Sequence, residues 1–533
     1  MPSYSEGQAI ATAKLHSLHK GPRTRACVFE HPPIHSTIHS TIPNYRSMTA
    51  FLRRGYTDFI FDVSDVLLTW PSDLTFPIDR KVLRSCLVSG TWFRYESGAI
   101  SKEECFQQLS ARFSLGPSVF EDAWKDVKHA LRPNTELVAL IKELKAVAPG
   151  KVRIFGASNI SALDYEYFRS RADLDWSIFD DVFTSHKLGI RLCDPGFFKR
   201  LPQHVQINYE GAVYVGHIHD ADDVVNARSF GMHGVLLTDL TENRREMLNL
   251  IGDPVKRGWE YLRMNAGKHA SELNKSEVTF TDNFSQLLIL EATGDRSLVT
   301  LTEPSRHWNY FQGKGLLTYE KFPDDLDTTS LGLVTMKPPK ELVHSIMDEM
   351  LHCLSPDGLP YSYFDPELPR LDPALSVNVL HLFYTHGRGH QLPGALEWVH
   401  SVLRNRAYLQ GTRYYFPESV LFFVGRLLET SDDAHLHETL EDLLRECVQE
   451  LVGAPGDSLA LAFRIVTCAS LGIKDEVDMR SLLPLQQEDG GWQVGWLTKY
   501  GISGMKVGSR GYTTAMAIKA IQDLDKLRAK DSS

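Results

Sequence analysis

The chain changes character near Asn265, and that change sets what it can fold into. Upstream, short β-branched or aromatic runs at Asp58–Phe61, Val152–Phe155 and Ala212–Val215 alternate with helical periodicity. Strands alternating with helices predict a doubly wound parallel sheet with helices on both faces. Within this half, Ser101 is expected to cap a helix, with Glu104 closing a capping box. Downstream, strand signals vanish. Apolar residues recur at i, i+3, i+4 and i+7 through 340–351, 394–403 and 438–448, the pattern of helices packed on one side. The chain has 533 residues, and single cores stop growing near ~250–300 residues. The fold expected is therefore multidomain, with an N-terminal α/β domain over 56–255, a linker over 256–279 and a C-terminal all-α domain of bundle or barrel kind over 280–527. Residues 1–50 hold an imperfect tandem at Ile34–Ile42, bounded by prolines and without a continuous apolar run, and read as a disordered leader.

Composition narrows the function classes. A net charge of −10 argues against nucleic acid, whose binders carry basic faces. The seven cysteines are scattered, odd in number and without a CxxC pair, which reads as reduced thiols rather than a disulfide framework or a zinc site. No stretch reaches the ~20 apolar residues that a membrane-spanning helix requires. The cytoplasm is the default compartment. Nothing in the sequence sets the oligomeric state.

The densest chemistry lies in Asp325-Leu326-Asp327-Thr328-Thr329. Two carboxyls at i and i+2, if buried, cannot both ionise cheaply, so one should keep its proton near neutral pH. A neutral carboxylic acid in an apolar pocket is the group needed to protonate a carbon–carbon double bond. A bland alternative exists for a five-residue motif, a solvated helix start with Asp as its cap.

Two further features give this motif a context. Gln486, Gly490 and Trp492 fall in a segment resembling the QxxxGxW box of prenyl cyclases, and 507–518 is a glycine turn leading into a small-residue helix. Together they resemble a class II terpene cyclase domain, of the β-type helical barrel, carrying a DxDTT variant of the acid motif. The first half resembles the haloacid dehalogenase-like hydrolases, with a helical cap near 77–145. Asp62 stands in the place of the nucleophile, Ser158 in that of the phosphoryl-binding hydroxyl, and 216–232 resembles the fourth motif with Asp222 and Asp223. The departures matter. The family's second Asp is Ser64, its phosphate-binding Lys falls at Leu192, and the Asp after Gly216 is His217. Losing those groups removes acid–base help and charge stabilisation, so the domain reads as degenerate. The alternative keeps it active, with Arg191 or Lys187 replacing the lysine and Asp62, Asp65, Asp222 or Asp223 holding Mg²⁺. His217 and His219 read as polar lining rather than metal ligands.

A degraded phosphatase-like domain followed by a DxDTT helical domain resembles the drimane-type sesquiterpene synthases. The resemblance implies Asp327 as general acid, Asp325 as the partner that orients its proton, and Thr328 as a hydroxyl that helps Asp327 stay neutral. It implies farnesyl diphosphate as substrate, cyclised with the diphosphate retained, Mg²⁺ with the diphosphate and no organic cofactor. Lys499, Lys506, Arg510 and Arg413 are the candidate diphosphate ligands. Trp308, Phe311, Tyr384, Tyr415, Trp492, Trp496 and Tyr512 are candidate pocket aromatics, although aromatics at helical spacing are mostly plain core. Two rivals stay open: a bifunctional cyclase–phosphatase, and a pseudoenzyme that binds only an apolar ligand or partner. A diphosphate product would call for a separate downstream phosphatase.

Overall fold

A computed structural model describes residues 56–69, 78–116, 118–217, 221–316, 318, 321–500 and 503–531. The leader over 1–50, His219 and the side chain of Asp65 lie outside the described residues.

The first half is built on five parallel strands: β1 Asp58–Asp62, β2 Arg153–Ser158, β3 Asp181–Thr184, β4 Ala212–His217 and β5 His233–Leu237, in the order β3-β2-β1-β4-β5. Every residue of β1 is buried, as a strand covered on both faces requires, which is why it reads as a continuous apolar run. Four helices, Arg80–Leu87, Gly90–Glu96, Lys102–Phe113 and Val119–Ala130, form the cap. Ser101 caps the third of them and accepts from the Glu104 amide as expected. The next helix, Thr135–Val147, was expected within the cap. It packs instead on β2 and on the helix Leu240–Ile251, so it belongs to the core layer.

The second half is a closed ring of six helices: α1 Asn283–Thr293, α2 Leu326–Met336, α3 Pro373–Thr385, α4 Pro417–Glu429, α5 Ser458–Ser470 and α6 Arg510–Asp531. Each packs on the next, and α6 returns to α1. Their burial explains their composition. Every residue from Leu326 to Leu333, from Ala374 to Tyr384 and from Ser419 to Leu428 is buried, so these helices are covered on all sides and any polar group on them needs a partner inside the ring. The helices Pro393–Arg404, Ala434–Leu451 and Glu476–Leu482 lie outside the ring and bury one face only.

Two expectations fail here. Strands do not vanish after Asn265: β6 Ser271–Leu273, β7 Ser276–Phe280, β8 Thr498–Lys499 and β9 Lys506–Ser509 form an antiparallel sheet in the order β8-β9-β6-β7. They are too short, and too polar on their exposed face, to leave a period-2 signal. Nor is 256–279 a linker. Pro254–Met264 is a helix packed against α6, and β6 and β7 follow it.

Both halves lie within one unit, Arg53–Ser533, and meet at a polar seam. Asn249, 3% exposed on the helix Leu240–Ile251, donates to the Gln486 carbonyl at 2.7 Å and accepts from Arg257 at 2.6 Å. Arg257 in turn donates to the Gln487 carbonyl at 2.7 Å.

Candidate active site

Asp325 is the N-cap of α2, its Oδ1 accepting from the Thr328 amide at 2.6 Å. Capping by Asp satisfies an amide that the helix cannot, and it also places Asp327 in the first turn, where the amide dipoles favour negative charge. Both carboxyls are 5% exposed. The bland reading of a solvated cap therefore fails.

Asp327 is held from two other ring helices. Asn378 of α3 donates to its Oδ1 at 2.7 Å, and Tyr415, on the loop before α4, donates its hydroxyl to Oδ2. Burial pushes the carboxyl up to about 7, against the lowering effect of those two donors. Burial, and then the charge of Asp327, push Asp325 up to about 8. Both therefore titrate far above an ordinary Asp. Asp325 Oδ2 has no hydrogen-bond partner and is fully buried. Thr328 does not hydrogen-bond Asp327 as expected: its amide serves Asp325, and its buried hydroxyl makes no hydrogen bond of ordinary length.

Behind Asn378 lies a buried cation. Arg426 of α4 donates to Asn378 Oδ1 at 2.9 Å and pairs with Glu291 of α1 at 2.8 Å. It also donates toward His381 Nδ1 at 3.3 Å, and burial holds His381 well below its ordinary value, hence neutral. None of Asn378, His381, Arg426 and Glu291 was identified from the sequence. Asn378 and Arg426 left a usable signal, since each is a polar residue in the middle of an otherwise apolar helix, and such groups are buried only with partners.

The expected aromatics divide by their contacts. Tyr415 is in the acid site, with Phe284 and Phe423 at 6.2 and 5.2 Å between ring centroids. Tyr512 is buried on α6 with its hydroxyl unpartnered and its ring 6.1 Å from Phe463, which stacks on Phe422 at 4.3 Å. Trp308, Tyr384 and Trp492 are framework. Trp308 lies flat against α2, where a Cβ on Gly332 would come within 2.5 Å of its indole nitrogen. Tyr384 presses on Gly389 in the same way. Trp492 is fully buried, its indole N–H donates to the Leu482 carbonyl at 2.9 Å and its amide donates to the Thr514 hydroxyl at 3.0 Å, tying the turn to α6. Phe311 packs among Phe280, Tyr310 and Phe322. Trp496 is half-buried, its amide held by Asp457 at 3.1 Å.

Of the expected diphosphate ligands, three gather beside the acid loop. Lys499 and Lys506 face each other across β8 and β9, and their ammonium groups lie 5.8 and 5.4 Å from the Phe416 ring. Arg413 lies 5.8 Å from the Tyr414 ring. Arg510 does not join them. It forks onto Asp489 at 2.6 and 2.8 Å and donates to the Trp492 carbonyl at 3.0 Å, so its charge is spent on holding the turn.

In the first half, Asp62, Ser158 and His217 stand at the ends of β1, β2 and β4. Ser64 reaches Ser158, hydroxyl to hydroxyl, at 2.7 Å, and its amide donates to Asp62 Oδ1 at 2.8 Å. Asp222 is exposed on the helix Ala221–Ser229, while Asp223 is 4% exposed. Leu192 is fully buried in the apolar core. Of the two proposed substitutes for the lysine, Arg191 pairs with Glu96 of the cap at 3.0 Å, while Lys187 is exposed with its ammonium 5.1 Å from the Tyr165 ring. Among the described residues no group of three His, Cys, Asp or Glu side chains is placed to hold a metal ion.

The comparisons with known proteins accord with this arrangement. Residues 255–386 match the model of the sesquiterpene cyclase astC-like C-terminal domain. The chain is 40% identical to drimenol cyclase drtB of Aspergillus calidoustus over 463 residues, 87% of each protein. It is 28% identical to sesquiterpene phosphatase astK of Aspergillus oryzae over 193 residues, 36% of this chain and 95% of that one. Among solved structures, the type II terpene cyclase MstE from Scytonema is similar at 12% identity and a TM-score of 0.38, covering 51% of this chain and 97% of that one. No helix among the described residues is long and apolar enough to cross a membrane. A chain that sets two buried carboxyls in a ring of helices beside a doubly wound α/β domain, and that matches a drimenol cyclase at 40% identity over 87% of each protein, belongs to the drimane-type class II terpene cyclases.

Proposed function

We propose that the protein cyclises farnesyl diphosphate to a bicyclic drimane-type diphosphate by proton-initiated catalysis, with Asp327 as the acid. The terminal alkene takes the Asp327 proton, and the tertiary cation is captured by two internal double bonds in turn. Loss of a proton closes the sequence, so no atoms are gained or lost and the diphosphate stays attached. One observation carries the reading: a carboxyl that burial holds near 7 while two hydrogen-bond donors stand ready for its conjugate base. Burial keeps the acid loaded, and the donors make it willing to give the proton up. The aromatic faces of Phe284, Tyr415, Phe422, Phe423 and Phe463 suit the passing cation.

Lys499, Lys506 and Arg413 are the groups we assign to the diphosphate. They flank Tyr414 and Phe416, the neighbours of the residue that holds the acid, so the loop bearing Tyr415 lies between the acid and the cations of β8 and β9. Among the described residues no three His, Cys, Asp or Glu side chains gather to hold a metal ion, so these cations are the charge the chain itself offers the diphosphate.

A second reading, in which the first domain removes phosphate, is favoured by the likeness to a protein named as a phosphatase and by a relative named for an alcohol product. The retained Asp62 is compatible with it, and the buried Leu192 and the engaged Arg191 oppose it. Incubation with farnesyl diphosphate and Mg²⁺, with products analysed before and after added phosphatase, decides. Drimane alcohol seen only after phosphatase supports a retained diphosphate, and alcohol without it supports the second reading. Unchanged substrate would defeat both.

A further inference from the structure

We infer that Arg426 is a positioning residue for the cyclisation, which, acting through Asn378, fixes the carboxyl oxygen of Asp327 on which the transferable proton sits. The inference rests on the reading of Asp327 as the acid and adds to it a residue that no likeness assigns.

An Asn side chain has two faces, one accepting and one donating, and in isolation it could sit either way round. A guanidinium can only donate. Arg426 therefore requires the carbonyl face of Asn378, at 2.9 Å, and the amide face is left for Asp327 Oδ1 at 2.7 Å. An N–H directed at Oδ1 makes that oxygen the carbonyl oxygen of the neutral acid. The Tyr415 hydroxyl can swing off Oδ2 where the amide fixed by Arg426 cannot leave Oδ1, so the proton is confined to Oδ2 until it is given up and the hydroxyl donates there. Without Arg426 the amide can rotate and the proton can occupy either oxygen, with only one of them aimed at the alkene.

Arg426 is itself over-determined. Glu291 holds its other terminal nitrogen at 2.8 Å, and the neutral His381 accepts from that same nitrogen at 3.3 Å. The guanidinium is 6% exposed and its planar fork spans α1, α3 and α4 at once. A lysine could keep the charge without reaching two acceptors in fixed directions. The groups bearing on Asp327 are Asp325 on its own helix, Asp372 and His381 from α3, and Tyr415 and Arg426 from the α4 side. Glu291 of α1 stands behind the arginine. Arg426 lowers the Asp327 pKa, so its removal should let the acid hold its proton to higher pH while giving it up less readily.

Steady-state kinetics of Arg426→Met and Arg426→Lys across pH test this. The double variant Glu291→Gln/Arg426→Met leaves no buried charge unpaired, and it keeps the test readable if the single variant does not fold. For a folded Met variant we expect kcat to fall about 10- to 100-fold with KM within about twofold, the scale of a lost orienting partner, and the alkaline limb to move upward. Arg426→Lys should recover the position of the limb and little of the rate. An unchanged rate and limb in the folded double variant would overturn the inference, as would full activity in Arg426→Lys. Asp327→Asn, measured alongside, separates the two claims: if it still cyclises, the acid assignment fails before Arg426 is at issue.

Discussion

As the proposed acid, Asp327 has two opposed requirements, to stay protonated in neutral solution and yet to be acidic enough for a weakly basic alkene. Its surroundings divide the work, with burial raising the pKa and Tyr415 and Asn378 lowering it again. The acid is active while protonated, so the rate should be full on the acid side of about 7 and fall above it. A profile that instead rises through 7 would mean that the working group is ionised. Asp327→Asn should abolish cyclisation, and the same variant tests the proton through stability. The unfolded chain gives up this proton near the ordinary Asp value, while the fold keeps it to about 7, so the wild type loses stability as pH rises between the two. Asp327→Asn should therefore match the wild type near pH 4 and exceed it by at least about 1 kcal/mol above pH 7. Melting curves at both ends would show it, and a gap that does not widen with pH would mean that the carboxyl is ionised in the fold. Tyr415→Phe removes a donor to the carboxylate, so the alkaline limb should move up and kcat should drop, measured in the same pH series.

At the scale of elements, the acid motif was readable because its parts are local: a cap, a first-turn carboxyl and an amide three residues on. Its partners were not, because Asn378 and Tyr415 approach from 51 and 88 residues away. Periodicity finds a helix, but it does not say which of its sides faces the centre of a ring. Lys499, Lys506 and Arg413 could be grouped from their glycine-rich and aromatic setting. Arg510 looked the same in sequence and is engaged by Asp489, a contact that spacing does not reveal. The inner and outer helices were distinguishable in principle by whether polar residues are excluded from all faces or from one. Helix α2 depends on a close approach that makes its own test. Gly332 lets Trp308 lie against the helix, and an added methyl would meet the ring at 2.5 Å with little room to yield. Gly332→Ala should cost about 1–3 kcal/mol as an overpacked core site, and it should lower activity by moving the acid turn. A melting temperature equal to wild type would show that Trp308 can move aside.

At the scale of the whole molecule, the two halves are joined by the turn that the glutamine–tryptophan box builds. The sequence marked Gln486 and Trp492 as parts of a prenyl-cyclase-like box, and in the fold Trp492 ties that turn to α6. It did not show that Asn249, at the end of the first domain, would close on the same turn, since an Asn near the end of an amphipathic helix carries no such signal. The first domain can thus serve the second by holding this turn, whatever its own strand ends still do. Two variants separate the roles. Asn249→Ala leaves the Gln486 carbonyl and the Arg257 fork short of a partner and should cost about 1–3 kcal/mol, with cyclisation lost at a lower temperature than in the wild type. Asp62→Asn leaves that seam intact and should cyclise at the wild-type rate with an unchanged melting temperature. If Asp62→Asn stopped product formation as completely as Asp327→Asn while Asn249→Ala had no effect, the first domain would be part of the chemistry and not a support for the ring.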